Sequence, residues 1–499
     1  MSGIRVTYSG LISLAVRLSS IITGLIFTLI VTRQLSQDEF GTWGLISGIL
    51  IYALAIHPIV GYWATREIAR GENSGKTALL SSSMFSIIGL GIYLIFAFFV
   101  GNQSDAELSM LTFAAILIPI IFVNDALNAI NRGSQPHVIS YGFLAFEITK
   151  IPLGLCLVYF WDMGLEGAII ATFGAYIPSI AILGIKAKPL IRNKFEKQFV
   201  KKWIKLFWVP IFRNVPSLLS LSDVIVFSVI TGSVSGVAYY TAARTIGFLV
   251  NHTRSMSDGL YPKLLEGGHQ NYLQDNLLKL FYFAFPLVGL SIVFARPGLF
   301  ALNPIYEAAE LVVIILAIRS FLTTLGKSLF QALQGIEKVD MNRNSTFKDY
   351  VKSKLILYPT FQLIRNGIYF GSLAIILFLL QDTESEIQLV VYWAAVGLII
   401  EIPLTIYIYQ LVRKNISLKM DWKTLSKYLV SSVLIFGIFY YLINQYLEYK
   451  ISIFEFLPEL MLWATVIVGS YLALTYLIDS NTQKLFKGIM KEILRSRNN

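Results

Sequence analysis

Ionisable side chains interrupt the long apolar segments of this chain at intervals along most of its length. A charge at the centre of a bilayer costs about 2.5–3.5 kcal/mol even on a lenient insertion scale, so each must face water, pair with an opposite charge or reach the membrane surface. Basic residues outnumber acidic ones in this set, so the sequence predicts that the membrane-embedded part of the protein has a net positive charge. Its members are Arg17, Asp125, Glu147, Lys150, Arg213, Asp223, Arg244, Arg319, Lys327, Arg365 and Glu401.

Four arginines lie deepest within their apolar segments and are the predicted ligand-binding residues of a cationic cavity. A guanidinium group binds phosphate or carboxylate through paired hydrogen bonds, so these residues favour an anionic passenger such as a pyrophosphate or an acidic sugar. The alternative is that some of them form structural ion pairs or lie near helix ends. The four are Arg17, Arg213, Arg319 and Arg365.

The remaining intramembrane charges are candidates for ion coupling or for ion pairs. Glu147 and Lys150 lie three residues apart, so they share one helix face and can neutralise each other; Glu147 could equally take a proton or a cation. Arg244 could pair with Asp223, and Asp125 belongs to the same group.

Motifs of enzymes and metal sites are not evident in the sequence. The stretch GENSGKT, Gly71 to Thr77, is one residue too short for a phosphate-binding P-loop. The single cysteine, Cys156, excludes an intrachain disulfide and a cysteine metal cluster, and the histidines are scattered, with only His57 beside Pro58 open as a proton relay. The predicted external loops are too short for an active site. We therefore expect no catalytic residues, no metal and no cofactor.

The composition excludes a water-soluble fold. Hydrophobic residues make up 55% of the 499 positions and charged residues only 14%, against roughly 25% charged in soluble domains. Many apolar segments have about 20 residues, the length that a helix needs to cross a bilayer. The sequence therefore predicts an all-α integral membrane protein with about 14 spanning helices, at about 8–31, 43–65, 78–100, 110–130, 138–160, 164–185, 206–230, 236–253, 281–295, 305–333, 355–380, 388–412, 428–446 and 458–479.

The distribution of Lys and Arg predicts the orientation of these helices. With both termini in the cytoplasm, nearly all basic loop residues fall on the cytoplasmic side, as membrane insertion favours. The net charge of +11 is then explained by basic loops that set the membrane orientation and contact anionic lipid headgroups. It does not indicate nucleic-acid binding. The first apolar segment carries Arg17 in its middle and lacks the pattern of a cleaved signal peptide, so we expect it to be retained.

The order of the helices predicts two similar halves. The turn and helix start at Thr32 to Ile46 are faintly repeated, six helices later, at Thr231 to Ile246, and repeated halves are common in transporters. The predicted domains are residues 1–185, a six-helix bundle; 186–205, a basic cytoplasmic linker; 206–412, a second six-helix bundle; and 413–499, two additional helices and a basic tail. The linker contains Phe195, Phe199 and Trp203 among its charges, which is typical of an amphipathic interfacial helix and of a hinge.

Three segments give the chain its family resemblance. They are LIVTRQLSQDEFGTWGLI from Leu29 to Ile46, MGLEGAIIATFGAYI from Met163 to Ile177, and SDVIVFSVITGSVSGVAYYTAAR from Ser222 to Arg244. With their order and the helix count, the chain resembles polysaccharide and oligosaccharide flippases of the Wzx type, in the multidrug/oligosaccharidyl-lipid/polysaccharide (MOP) exporter superfamily. The resemblance covers roughly residues 1–480.

This resemblance implies a V-shaped pair of six-helix bundles around a central cationic cavity, with two more helices at the C-terminus. It implies a transporter in the plasma membrane that moves polyprenyl-phosphate- or pyrophosphate-linked glycans outward by alternating access. It further implies coupling to H⁺ or Na⁺, as in some relatives, contact with membrane lipids and cooperation with glycan polymerase or ligase machinery.

Other functions stay open as alternatives. A drug or cation antiporter of the same superfamily would need a less basic cavity with acidic cation sites. A membrane glycosyltransferase or ligase would turn over its substrate without a membrane gradient. A purely structural subunit would tolerate loss of the deep arginines, although the energetic cost of keeping them in the membrane opposes this reading.

Overall fold

The computed structural model describes residues 23–219, 222–257, 270–337, 353–416, 418, 420–484 and 486–487, and every element in these ranges is helical. The first part of the chain contains α1 (helical over 23–34), α2 (Gln37–Ala53), α3 (Pro58–Ala69), α4 (Gly75–Gly101), α5 (Leu108–Phe113), α6 (Leu117–Ser134), α7 (His137–Gly154), α8 (Gly164–Ile191), α9 (Lys197–Lys205) and α10 (Trp208–Leu219). The second part contains α11 (Asp223–Thr231), α12 (Ser235–Gly247), α13 (Gln270–Val293), α14 (Ala295–Leu302), α15 (Glu310–Gly335), α16 (Lys354–Leu380), α17 (Glu386–Asn415), α18 (Trp422–Tyr446) and α19 (Ile453–Ile478).

Eleven helical stretches in the described part of the chain are long and apolar enough to cross a membrane, which confirms the predicted all-α membrane fold. Three of the fourteen predicted spans are not among them. The first lies mostly outside the described residues. The seventh consists of α10 and α11 on either side of residues 220–221, and the eighth consists of α12 continued by a 3₁₀ helix, Phe248–Ser257. The count of fourteen stays a prediction.

The start of α2 shows how a polar turn interrupts the apolar sequence. Ser36 accepts a hydrogen bond from the backbone N–H of Glu39 at 3.2 Å, and the Glu39 carboxylate accepts one from the backbone N–H of Ser36 at 2.9 Å. This capping box satisfies two of the donors that a helix start leaves without intrahelical partners. Glu39 also accepts a hydrogen bond at 3.0 Å from the backbone N–H of Leu165, so the same carboxylate joins the starts of α2 and α8.

The chain divides into two compact units. The first contains residues 1–241 and 370–389, and the second contains residues 242–369 and 390–499. In the first unit a core of buried side chains joins α3, α4, α6, α8 and α9. In the second unit one core joins α13, α15 and α17, and another joins α13, α18 and α19. The predicted domain boundaries are based on the repetition of two halves in the sequence. A division into compact units does not test that repetition, so the boundaries stay a prediction.

Within the first unit, α2 packs directly on the backbone that leads into α12. A Cβ atom at Gly41 would lie 2.0 Å from the carbonyl oxygen of Val234, and one at Gly44 would lie 2.8 Å from Oγ1 of Thr241. Only glycine permits such an approach. The adjoining turn is fixed by Glu386, which accepts a hydrogen bond from the Ser233 hydroxyl and another at 2.9 Å from a backbone N–H of α12.

Candidate functional site

A polar cavity of about 550 Å³ lies in the first unit among α3, α6 and α10. Helices α3 and α6 pack closely along their lengths, and α10 adds a shorter contact with α3. Its lining residues are His57, Pro58, Gly61, Tyr62, Thr65, Arg66, Asp125, Asn128, Ala129, Arg132, Pro210 and Asn214. Because polar and ionisable side chains are costly inside a membrane bundle, a cavity lined by several of them is a candidate for a binding site.

A break between α2 and α3 places His57 in the cavity wall. Pro58 occupies the first turn of α3, where its missing N–H costs little. Nδ1 of His57 lies 4.0 Å from Oδ2 of Asp125, and its ring meets the ring of Phe122 edge-on at 5.7 Å. Gly61 leaves room for the imidazole, because a Cβ atom there would lie 2.9 Å from Cε1 of His57. Nε2 of His57 is buried without a hydrogen-bond partner.

Two exposed arginines give the cavity its positive charge. Arg66 lies in the last turn of α3 and Arg132 in the last turn of α6. Nη1 of Arg66 donates a hydrogen bond of 3.0 Å to the Tyr62 hydroxyl, and the guanidinium lies 5.6 Å from the centre of the Tyr62 ring. These contacts orient the guanidinium and leave several of its donors for a ligand. Asp125 supplies the carboxylate of the lining, so the cavity is net positive.

Amide side chains accompany the arginines. Asn128 lies one helical turn before Arg132 on α6, hence on the same face, and Asn214 is contributed by α10. Amide groups both donate and accept hydrogen bonds, as sugar hydroxyl groups require. Together the lining can bind an anionic group through its guanidinium groups and neutral polar groups through its amides.

Only some of the predicted site residues lie at or near this cavity. Asp125 lines it directly. Arg213 lies on α10 next to the lining residue Asn214, and its side chain is outside the described atoms. Arg17 lies outside the described residues altogether.

The other two predicted arginines, Arg319 and Arg365, are buried in the second unit. Arg319 is 7% exposed, and its guanidinium lies 4.9 Å from the centre of the Tyr369 ring. Arg365 is 8% exposed, with Nη1 3.5 Å from Oε2 of Glu401. The contact of Arg365 is what the ion-pair alternative requires, whereas that of Arg319 is a cation–π contact. A role in binding a ligand stays a prediction for both residues.

The remaining predicted charges also have partners. Nζ of Lys150 lies 3.3 Å from Oε1 of Glu147. The hydroxyl of Tyr240 donates a hydrogen bond of 3.3 Å to Asp223, which is 3% exposed. In the second unit the guanidinium of Arg244 lies 5.0 Å from the centre of the Phe248 ring. Their role in ion coupling stays a prediction.

Sequence reasoning missed Arg66 and Arg132 because both lie near helix ends, where basic residues usually only set topology. A signal was nevertheless present. Tyr62 and Arg66, and likewise Asn128 and Arg132, are four residues apart, which places each pair on one helix face. Among the described residues, no group of three or more His, Cys, Asp or Glu side chains lies together to hold a metal ion.

The fold and the cavity together define a polytopic helical membrane protein with a polar cavity inside one compact unit. The sequence itself matches no protein-family model and no curated protein. Solved structures do match. The chain is similar to lipid II flippase MurJ in an inward closed conformation, with a TM-score of 0.65 and 14% identity over 94% of this chain and 98% of that one.

Two further matches are multidrug resistance MATE family transporters of the MOP superfamily. The inward-facing structure gives a TM-score of 0.57 and 16% identity over 81% of this chain and 98% of that one. The outward-facing structure gives a TM-score of 0.52 and 17% identity over 83% of this chain and 95% of that one. These likenesses show that the chain has the fold of MOP superfamily transporters, as the sequence resemblance predicted.

Proposed function

We propose that this protein is a transporter that moves an anionic, lipid-linked glycan across a membrane by alternating access. The observation that carries the proposal is the cavity with Arg66 and Arg132 in its wall, within a fold shared with a lipid II flippase. Two guanidinium groups beside amides match a phosphate or pyrophosphate that carries sugars. The glycan is a repeat unit on a polyprenyl phosphate or pyrophosphate.

Alternating access is supported by the conformations of similar structures, which are described as inward-facing and outward-facing. In this proposal the predicted halves, residues 1–185 and 206–412, move relative to each other, and the linker at 186–205 connects them. The protein lies in the plasma membrane of the cell with both termini in the cytoplasm. Glycan polymerase or ligase machinery uses the product that is delivered to the outer side.

Coupling to H⁺ or Na⁺ belongs to the same proposal. His57 and Asp125 supply a titratable pair in the cavity wall, 4.0 Å apart. Binding of a proton there would add positive charge next to the passenger. Such a pair gives a direct route by which an ion gradient could change affinity for an anion.

A cation or drug antiporter is the second candidate. It is favoured by the carboxylate of Asp125 in the cavity and by the likeness to MATE transporters. The two candidates differ in the charge of the passenger. For an organic cation, Arg66 and Arg132 would be repulsive, so their neutralisation should increase transport rather than abolish it.

The test is movement of a fluorescent lipid-linked oligosaccharide between the leaflets of liposomes that contain the purified protein. We expect the double variant Arg66→Gln, Arg132→Gln to reduce the initial rate at least tenfold, because charge-assisted hydrogen bonds to phosphate are worth about 1.5–3 kcal/mol each. Arg70→Gln is the matched control, since Arg70 is exposed at the end of α3 and does not line the cavity. Equal rates in the double variant and the control would contradict the proposal.

A further inference from the structure

Helix α9 presents a basic face and an exposed apolar edge in the first unit, and the cavity does not use either. Lysines cover one side of the helix and the turn before it: Lys194, Lys197, Lys201, Lys202 and Lys205 are all exposed. Large apolar side chains lie at its edge, in the turns that flank it and at the first residue of α10: Phe195, Ile204, Phe207 and Trp208 are between 38% and 54% exposed. The two sets adjoin each other on the helix surface.

The opposite side of α9 is fastened to the bundle. Phe199 and Trp203 are buried in the core formed with α3, α4, α6 and α8. Nε1 of Trp203 donates a hydrogen bond of 3.0 Å to Oε2 of Glu67, and Nζ of Lys202 lies 3.0 Å from the other carboxylate oxygen. Glu67 is 3% exposed, so a buried carboxylate fixes the rotation of α9 about its own axis.

The start of the helix is fixed as well. The backbone N–H of Glu196 donates a hydrogen bond of 2.9 Å to Oγ1 of the buried residue Thr77, near the start of α4. Just before α9, the side-chain amide of Asn193 donates a hydrogen bond of 3.0 Å to Asn73. The exposed face is therefore a defined surface of the unit, because these contacts hold the helix that carries the lysines in one position.

The position of α9 along the chain places it at a membrane surface. Five residues separate the end of the spanning helix Gly164–Ile191 from the start of α9 at Lys197. A helix in that position has its apolar edge level with the outer acyl chains and its lysines level with the headgroups. Aromatic residues such as Phe207 and Trp208 are typical of this interface.

We propose that α9, its flanking turns and Trp208 at the start of α10 form a binding surface for anionic phospholipid headgroups. The lysines bind the phosphate groups, and Ile204, Phe207 and Trp208 insert between the upper parts of the acyl chains. Charge complementarity selects anionic lipids over zwitterionic ones. Glu67 joins α9 to α3 through its contacts with Trp203 and Lys202. Lipid binding at α9 therefore also holds α3 in place, and Arg66, the residue before Glu67, lines the cavity. This proposal does not depend on which passenger the protein carries.

Lipid binding to the full-length protein in detergent tests the charged part of the surface. Native mass spectrometry would follow titrations with phosphatidylglycerol and with phosphatidylcholine. We expect Lys197→Gln, Lys201→Gln, Lys205→Gln to weaken phosphatidylglycerol binding by on the order of 100-fold if the three contributions add, with no change for phosphatidylcholine. The matched control removes three exposed charges of the second unit, Arg413, Lys414 and Lys423, and should change the affinity by less than threefold. Equal losses in both triple variants, or none in either, would overturn the proposal.

The depth of the helix tests the apolar part. In a Cys156→Ser background, a fluorophore attached to Ile204→Cys should be quenched by lipids that carry bromine on their acyl chains, in vesicles that contain phosphatidylglycerol. The same fluorophore at Gln198→Cys, on the basic side of α9, should be quenched much less. Equal quenching at the two positions would show that α9 does not lie at the interface in the orientation proposed.

Discussion

At the scale of single residues, the arginines of this protein fall into two groups that differ in their surroundings. Arg66 and Arg132 lie exposed at helix ends beside a polar cavity. Arg319 and Arg365 are buried, one over an aromatic ring and one beside a carboxylate. A guanidinium already engaged in the protein has fewer donors to offer a ligand, so depth in the membrane alone does not identify a binding residue.

The Arg365–Glu401 pair gives a prediction that separates structure from binding. Arg365→Leu leaves Glu401 buried without its counter-ion, and breaking a buried pair typically costs about 3–5 kcal/mol. We therefore expect a lower thermal unfolding temperature in detergent for the single variant. The double variant Arg365→Leu, Glu401→Leu should regain most of the loss, because it removes both buried charges. If Arg365 instead binds the passenger, the single variant should keep its stability and lose only transport.

At the scale of elements, close helix contacts depend on glycine. Gly41→Val would drive a side chain into the backbone carbonyl of Val234, and overpacking of this kind costs about 1–3 kcal/mol or more. Gly91→Val is the matched control, since no heavy atom lies within 4 Å of a Cβ atom at Gly91 and the change in helix propensity is the same. We expect the unfolding temperature of Gly41→Val to fall well below that of Gly91→Val. Similar values for the two variants would contradict the packing described here.

A carboxylate after α19 joins this helix to α18. Asp479 is 2% exposed and accepts hydrogen bonds from Tyr428 at 3.0 Å and from the backbone N–H of Thr482 at 2.9 Å, while Nζ of Lys427 lies 3.4 Å away. Burial by itself would raise the pKa of Asp479, but these hydrogen bonds outweigh it and hold the pKa below its ordinary value. The charged form therefore stabilises the fold above the unfolded-state pKa of about 3.9, and this contribution is lost as the pH falls through the lower folded-state pKa.

It follows that Asp479→Asn should destabilise the protein at pH 7 by about 1–3 kcal/mol, the usual cost of leaving buried partners unsatisfied. The difference from the unchanged protein should shrink as the pH is lowered below about 4. Thermal unfolding in detergent at a series of pH values would measure both effects. Asp382→Asn, at an exposed position, is the control and should show neither effect.

The elements also show what a sequence can predict. The length of the apolar segment predicted α8 at 164–185, but the helix continues to Ile191. The long side chains of Lys186 and Lys188 can extend to the membrane surface, so these charges do not end the helix. The seventh predicted span is described as α10 and α11, on either side of residues 220–221. A cationic cavity was predicted, but its position among α3, α6 and α10 was not. That position depends on which faces of the three helices meet, and in a single sequence only residues spaced four apart hint at those faces.

At the scale of the whole molecule, the proposed function requires that positive charge be continuous along the path of the passenger. Arg213 lies on α10 next to a residue of the cavity wall, and Arg17 lies in the predicted first helix. If both contact the passenger at other stages of its movement, Arg17→Ala and Arg213→Ala should each abolish translocation of a lipid-linked oligosaccharide in liposomes. Insertion and the unfolding temperature should stay unchanged if these two arginines act on the passenger rather than on the fold.

This last prediction also distinguishes among the functions considered. A glycosyltransferase would convert the lipid-linked glycan in detergent, where no leaflets exist, and the variants would then alter product formation rather than movement. A cation antiporter would leave the oligosaccharide in its original leaflet even with the unchanged protein, and it would move an organic cation faster once the arginines were removed. Full oligosaccharide translocation by both variants would mean that transport requires neither Arg17 nor Arg213, and anion binding would then be attributed to the cavity with Arg66 and Arg132.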